Sequence, residues 1–416
     1  MHDLTLLAII WLGVFAASYA AHHTRLTPVL WYLFFGAAMV NLDILPQEMP
    51  VFIVDFSELG IILIMFALGF EENTDNFMSS IKRSWGIAFF GALVPFMVAY
   101  FGTLYFWGDK NMALLCGLAM TATAVSLTMV SLKTEGLSKT PAATGIMTSA
   151  VLDDIASLVL VAIMVPLAAG EATISLAGVG LVVGKAVLFF LLVTLIGGWL
   201  FPASEGWVAR IPLIGRFNLN QVLAMARGEY TVLALLLVAV IVAILAHHFG
   251  FHPAVGAYMA GLVIKREYFE FHHHRKIDFH EQAKQIIDNV AFSWIGPVFF
   301  VTLGTRLIFD PEIFIAVMPY SLILFVGLFI GQILSASIAA RYTGKFDWPD
   351  SWMIGFGMLG RAELAFVVMD IAYVQHSIMN AESFYTLMFT AFLLNISVPL
   401  TIRWWKHKFS DHVPTA

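Results

Sequence analysis

Apolar runs of spanning length recur along almost the whole chain, and short charged stretches separate them. Candidate spans are 4–21, 27–42, 56–71, 84–107, 112–133, 142–168, 174–201, 229–249, 252–266, 290–308, 311–341, 351–374 and 383–404. A helix needs about 20 consecutive apolar residues to cross the hydrocarbon core, and in lipid the backbone must satisfy its own hydrogen bonds. Runs of this length fold as helices, so the chain is expected to be an all-α polytopic membrane protein with about thirteen transmembrane helices. Composition agrees: 12% of the residues are charged and 60% are hydrophobic, whereas soluble domains carry about 25% charged residues.

The basic residues orient these spans. With the N-terminus outside, Lys110 and Arg306 fall in outside loops and Lys185 and Arg361 fall within spans. The rest of the 22 lysines and arginines lie in inside loops or the C-terminal tail. Cytoplasmic loops carry such an excess. The expected placement is therefore a cell inner or plasma membrane, with the N-terminus outside and the C-terminus inside. The segment 4–21 has no basic stretch before it and is expected to be retained rather than cleaved.

Two stretches repeat. Ala21-His22-His23, Pro28 and Gly36 match Ala246-His247-His248, Pro253 and Gly261, each 225 residues later. Further on, GIILIMFALGF (60–70) is similar to GPVFFVTLGT (296–305). The first copy follows the first span and the second follows the eighth, so seven spans separate them and the copies insert with opposite topology. Inverted repeats mark secondary transporters, whose substrate site lies near the midplane. The expected division is 1–173 as a first half of six helices, 174–228 as a linker helix and inside loop, and 229–416 as a second half of six helices.

Asp153 and Asp154 sit inside SAVLDDIASLVLVAIMVPLA, near mid-depth of a span. A charge there costs at least about 2.5–3.5 kcal/mol on insertion scales. Acidic residues at a helix N-terminus are the bland explanation, but the apolar pattern already runs through Ile146, Met147, Ala150 and Val151. The position favours an ion or proton site. Adjacent helical residues point about 100° apart, so one carboxylate can bind an ion while the other turns to a partner. Two carboxylates this close disfavour simultaneous ionisation and titrate as a coupled pair, which suits exchange of a proton for a metal cation.

The preceding span carries Thr121, Thr123 and Ser126. Hydroxyls in membrane helices commonly bond the carbonyl four residues back and do nothing more. A cluster can also cap a broken helix whose freed carbonyls coordinate a cation, and the neighbouring aspartates favour that reading. Residues 355–370 read GFGMLGRAELAFVVMD. Gly355 to Gly360 fits G-x-G-x-x-G literally but lacks the strand and βαβ context of a dinucleotide fold; the glycines suit a kink or an unwound segment. Arg361 and Glu363, at this depth, must pair with each other, with a helix end or with Asp153. Two roles stay open for them: a fixed pair holding the core, or a gate.

Glu58, at the start of the third span, is a candidate entrance residue or a boundary charge. His247 and His248, like His22 and His23, are candidates for pH sensing or plain interfacial side chains. His272-His273-His274 reads as part of a solvated loop ahead of a metal or pH site. Trp404 and Trp405 with Lys406 and Lys408 read as an interfacial anchor. Cys116 is the one cysteine, which leaves no intrachain disulfide and no cysteine metal cluster. No nucleophile–base constellation appears, so an enzyme, a resident metal, a cofactor and a nucleic-acid partner are not expected.

These motifs resemble a known family. TATAVSLTMVSLKTEGLSKTPAATGIMTSAVLDDIASLVLVAI (121–163) is similar to the crossing-helix and aspartate-pair region of the monovalent cation:proton antiporters, in the branch called cation:proton antiporter-2. RAELAFVV, HPAVGAYMAGLVI and GPVFFVTLG resemble further signatures of that branch. The resemblance implies an inverted-repeat sodium/proton antiporter fold with crossed discontinuous helices, a homodimer, and a core bundle that moves against a dimerisation bundle. By motif, Asp154 would be the principal cation and proton carboxylate and Asp153 its neighbour. Thr121 and Thr123 would lie at the unwound crossover, with Arg361 and Glu363 on the opposite crossing helix. Electrogenic members with an aspartate pair often carry a lysine in the helix before the last crossing helix; here the notable polar residue of span 311–341 is Gln332. Potassium-efflux members often have Gln-Asp and an appended nucleotide-binding domain, so this chain resembles the sodium/proton members more.

The expected function is secondary active exchange of a monovalent cation, sodium ahead of potassium or lithium, for protons by alternating access. A potassium/proton antiporter or gated potassium efflux system is the second reading. A channel or membrane sensor on the same fold is the third. The expected partners are the cation, the proton, membrane lipid and a second copy of the chain.

Overall fold

The computed structural model describes residues 2–24, 28–71, 74–124, 127–128, 131–132, 135–137, 140–170, 230–264, 266–269, 278–308, 310–361 and 363–409, with short stretches between 184 and 223. Most of the expected linker 174–228, Ser126 and the His272–His274 run lie outside these residues. Every regular element among the described residues is a helix: α1 (His2–Thr24), α2 (Pro28–Asn41), α3 (Val51–Glu71), α4 (Thr74–Trp107), α5 (Lys110–Ala119), α6 (Pro141–Ala168), α7 (Thr231–His248), α8 (Pro253–Val263), α9 (Phe279–Asn289), α10 (Gly296–Gly304), α11 (Pro311–Tyr342), α12 (Trp348–Gly357), α13 (Glu363–Asp370) and α14 (Ala381–Lys408). Eight stretches among them are long and apolar enough to cross a bilayer, one being the α9–α10 run continued through a π-helical turn.

Helix starts follow local chemistry. Asp109, Asp310 and Asp347 each accept a backbone N–H one to three residues into the helix that follows, and proline stands in the first turn of α6, α8, α11 and α12. Such caps satisfy amide groups that have no partner inside the helix. α5 and α12 are structural twins. Both have ten residues, an aspartate N-cap and a methionine C-cap with φ −93° and −94°. The caps recur at one spacing, Asp109 to Asp347 and Met120 to Met358, so the repeat seen near the histidine pairs continues into the middle of each half.

Several boundaries differ from those the apolar runs suggest. The spans 112–133 and 351–374 are each interrupted in mid-course. α3 starts at Val51, so Glu58 lies two turns inside the helix instead of opening it. α9 starts 11 residues before the expected 290. Its sequence, FHEQAKQIIDN, mixes polar and apolar residues at helical spacing, and a search for apolar runs discards such a segment. Trp405 is no interfacial anchor. It is buried at 1% exposure and its Nε1 donates to the Pro349 carbonyl at 2.7 Å, while Trp404 next to it is exposed.

The chain divides into two compact units. The first comprises Met1–Val14, Glu48–Asn76 and Thr173–Thr302. Within it α3 packs on α8 at backbone distance. A Cβ on Gly69 would lie 2.1 Å from the Tyr258 carbonyl oxygen, and one on Gly261 would lie 2.4 Å from that of Phe66. Small residues at this spacing let membrane helices touch. The second unit comprises Phe15–Gln47, Phe77–Ala172 and Leu303–Ala416. It contains α5, α6 and α11 to α14.

An ionic tether closes one end of the second unit. Lys406 Nζ donates to the Glu135 carbonyl at 2.8 Å and to its Oε2 at 3.1 Å, and Arg403 Nε reaches Oε1 at 3.4 Å. Burial alone would push the Glu135 carboxyl up, but the bonds and charges of Lys406 and Arg403 outweigh it and hold it below the usual carboxylate range. A carboxylate depressed by folding stabilises the fold above its unfolded value of about 4.3. That contribution is lost as the pH falls through the folded value. Glu135→Gln should therefore lower the melting temperature in detergent at neutral pH. In a pH series the gap to wild type should close below about pH 4.

Candidate ion site

The two interrupted helices meet inside the second unit. The first ends at Ala119, and the backbone is non-helical from Met120 to Ala124 before helix is described again at Leu127. The second ends at Gly357, runs non-helical through Arg361, and resumes as α13 at Glu363. α13 packs against α5, and α5 against α6. The two unwound segments bond to each other: Ala124 N donates to the Gly360 carbonyl at 2.9 Å. A Cβ on Gly360 would stand 2.9 Å from that of Ala124, so only glycine allows this approach. Thr128 Oγ1 adds a bond to the Gly357 carbonyl at 2.6 Å.

A long helix anchors each unwound segment. On the first side Thr123 Oγ1 donates to Asp153 Oδ2 of α6 at 2.7 Å, while Thr121 Oγ1 bonds the Leu118 carbonyl at 2.7 Å and Ser157 Oγ at 3.0 Å. Asp153 is fully buried, and Asp154 is half-buried. On the second side Asn395 of α14 grips the backbone of Arg361 twice. Its Oδ1 accepts from Arg361 N at 2.7 Å and its Nδ2 donates to Arg361 O at 2.7 Å.

The Arg361 side chain folds back on the end of α12. Nη1 donates to the carbonyls of Met358 at 3.1 Å and Gly360 at 2.9 Å, and Nη2 donates to Gln332 Oε1 of α11 at 2.7 Å. Of the partners the sequence left open, the helix end receives this guanidinium. A cation at a helix C-terminus offsets the dipole there. Arg361 and Asp153 also attract each other across the site without a hydrogen bond between them. At the crossing, three buried atoms have no hydrogen-bond partner among the described residues: Asp153 Oδ1, Arg361 Nε and Gln332 Nε2. The site therefore offers a carboxylate oxygen with open lone pairs beside a fixed positive charge, deep in the bilayer span.

The other candidates lie elsewhere. Glu363 opens α13, but its side chain is outside the described residues. Glu58 is exposed on α3, in the first unit. His247 and His248 end α7 and are exposed, with His248 Nδ1 2.9 Å from the Ile244 carbonyl. His23 Nδ1 meets the Tyr19 carbonyl at 3.0 Å in the same way, so the repeated pairs occupy equivalent helix ends. Three contributors had no assigned role in the sequence reading: Gln332, Asn395 and Ser157. The signal that could have found Asn395 is that it is the one amide of the apolar run 383–404, as Gln332 is of 311–341.

Two crossed, interrupted helices with a buried carboxylate and a buried guanidinium at the crossing define a secondary-transporter architecture. The family described as the transmembrane sodium/hydrogen exchanger matches residues 7–407, and the chain belongs to it. It is 28% identical over 319 residues to the Na+/H+-K+ antiporter GerN of Bacillus cereus, covering 76% of this chain and 74% of that protein. It is 21% identical over 412 residues to a Na+/H+ antiporter of Enterococcus hirae, covering 98% and 99%. The fold matches that of the sodium proton antiporter MjNhaP1 of Methanocaldococcus jannaschii with a TM-score of 0.67 at 14% identity, over 97% of this chain and 99% of that one. The protein is thus an integral membrane protein with the antiporter fold.

Gln332→Leu should expose the importance of the amide to Arg361. Removing the one side-chain acceptor of a buried guanidinium should cost about 1–3 kcal/mol, read as a lower melting temperature in detergent. Gln332→Glu keeps an acceptor and should lose less.

Proposed function

We propose that the protein exchanges a monovalent cation, sodium first, for protons by alternating access. The observation that carries this reading is the Asp153-Asp154 pair beside the crossing of two unwound segments. Asp153, buried and held by Thr123, fixes the first unwound segment. Asp154, next to it and half-buried, is the principal carboxylate by its place in the family motif. Thr121 and Thr123 with the nearby freed carbonyls supply neutral oxygen ligands. A cation and a proton compete for the same carboxylate oxygens, so binding of one releases the other. Movement of the crossing then presents the site to the opposite side. Arg361, fixed on the end of α12, balances the aspartate charge when neither ligand is bound, and Glu363 serves with it as a core pair or a gate.

The Bacillus cereus relative is a Na+/H+-K+ antiporter, and this supports potassium as a second transported ion. The family resemblance supports a homodimer in a cell inner or plasma membrane, and the basic-residue asymmetry supports an N-terminus outside.

The test is reconstitution in liposomes with an imposed pH gradient, adding sodium, lithium or potassium in turn. Wild type should dissipate the gradient on addition of sodium, and the ranking of ions sets the preference. Asp154→Asn should reduce the response to the protein-free background while the detergent melting curve is retained. Wild-type exchange in that variant would remove Asp154 from the mechanism, and no response of wild type to any cation would reject antiport.

A further inference from the structure

Ser157 lies one helical turn beyond the aspartates of α6, four residues after Asp153 and three after Asp154. Residues at these spacings are neighbours on a helix surface, and each helical side chain leans back over the turn before its own Cα. Ser157 therefore covers the turn that carries both carboxylates. It is buried, together with Asp153, Thr121 and Thr123.

The directions of the hydroxyl hydrogens fix what Ser157 offers. A hydroxyl in a membrane helix commonly spends its hydrogen on the carbonyl four residues back. Ser157 Oγ instead reaches across to Thr121 Oγ1 at 3.0 Å. Thr121 has one hydroxyl hydrogen and spends it on the Leu118 carbonyl at 2.7 Å. In the contact between the two hydroxyls Ser157 is therefore the donor. Its oxygen keeps two lone pairs and has no hydrogen left to direct at a ligand. Thr123 is in the same condition, because its hydrogen goes to Asp153 Oδ2 at 2.7 Å. These two bonds clip the unwound segment to α6 at points one turn apart. Asp153, whose Oδ1 has no hydrogen-bond partner among the described residues, shares the face of Ser157. Hydroxyl oxygens oriented as acceptors beside an open carboxylate oxygen suit a cation. We propose that Ser157 is a ligand of the transported cation and weights the site toward the cation against the proton. This rests on the antiport reading. A proton needs one oxygen, whereas a desolvated cation needs several to replace its hydration shell. Loss of a neutral oxygen therefore weakens cation binding and spares the proton.

The test is the melting temperature of the detergent-purified full chain in sodium, lithium or potassium chloride, against choline chloride at equal ionic strength. A cation that binds the folded protein raises the melting temperature by mass action. Ser157→Ala should need about tenfold more of the cation that wild type prefers for the same rise. Ser157→Cys keeps the shape and a donor hydrogen but offers sulfur, a poor ligand for hard cations, and should behave like Ser157→Ala. Ser157→Thr keeps the oxygen and should stay within about threefold of wild type. In liposomes the cation concentration for half-maximal exchange should rise in the same order, with the maximal rate less affected. Wild-type cation dependence in Ser157→Ala would overturn the proposal. So would wild-type dependence in Ser157→Cys, the result expected if Ser157 only braces Thr121. If Ser157→Ala loses cooperative melting, Ser157→Cys decides. No cation-specific rise in wild type would overturn this inference and antiport together, whereas a responsive wild type with unaffected variants would overturn this inference alone.

Discussion

A helix interrupted in hydrocarbon frees amides and carbonyls that lipid cannot satisfy. Among the described residues two such interruptions meet in the second unit, and the bond from Ala124 to Gly360 makes each part of the other's solution. Neither broken helix is tolerable alone at this depth. Their crossing is therefore an obligatory contact, and the rest of the second unit is arranged to hold it: α6 and α14 clamp the two unwound segments, and α11 contributes Gln332. Irregular backbone at the midplane is tolerated where it is buried in protein or lines a cavity, and that is where an ion can be held by oxygen atoms.

The two halves repeat their architecture but differ in chemistry. Both have an aspartate-capped ten-residue helix that ends at a methionine, followed by an unwound stretch and a long helix that grips it. In the first half the grip is a threonine hydroxyl on a buried carboxylate. In the second it is an asparagine on the arginine backbone. The repeat supplies opposed helix ends, and the differing side chains supply opposite charge. Arg361 spends its donors on the carbonyl end of α12 and on Gln332, so its positive charge stays in place without neutralising Asp153 through a direct bond. A buried pair in direct contact would be locked by mutual attraction, whereas Asp153 and Arg361 are each held by their own scaffold, Thr123 on one side and Gln332 on the other.

Much of this was legible in the sequence. Apolar length alone requires helices in a bilayer, because no other element satisfies its backbone there without closing into a barrel. The repeated Ala-His-His and Pro residues marked a repeat whose histidine pairs close equivalent helices, α1 and α7, and Asp153-Asp154, Thr123 and Arg361 stood out because polar groups at mid-depth are costly. Other features were hidden for physical reasons. A break in a helix keeps the apolar composition of an unbroken one, so 112–133 and 351–374 read as continuous. α9 was passed over because an amphipathic segment has no apolar run. Trp405 and Trp404 are neighbours in the chain, but helical geometry turns one into the core and the other outward. Sequence also named three possible partners for Arg361 without choosing among them, since that choice depends on which residues more than twenty positions away, Gln332 and Asn395, arrive at the crossing. Hydrophobicity and periodicity are local properties that the chain carries along its length. Which buried charge meets which buried acceptor is set by the packing of distant helices, and only the tertiary structure decided it.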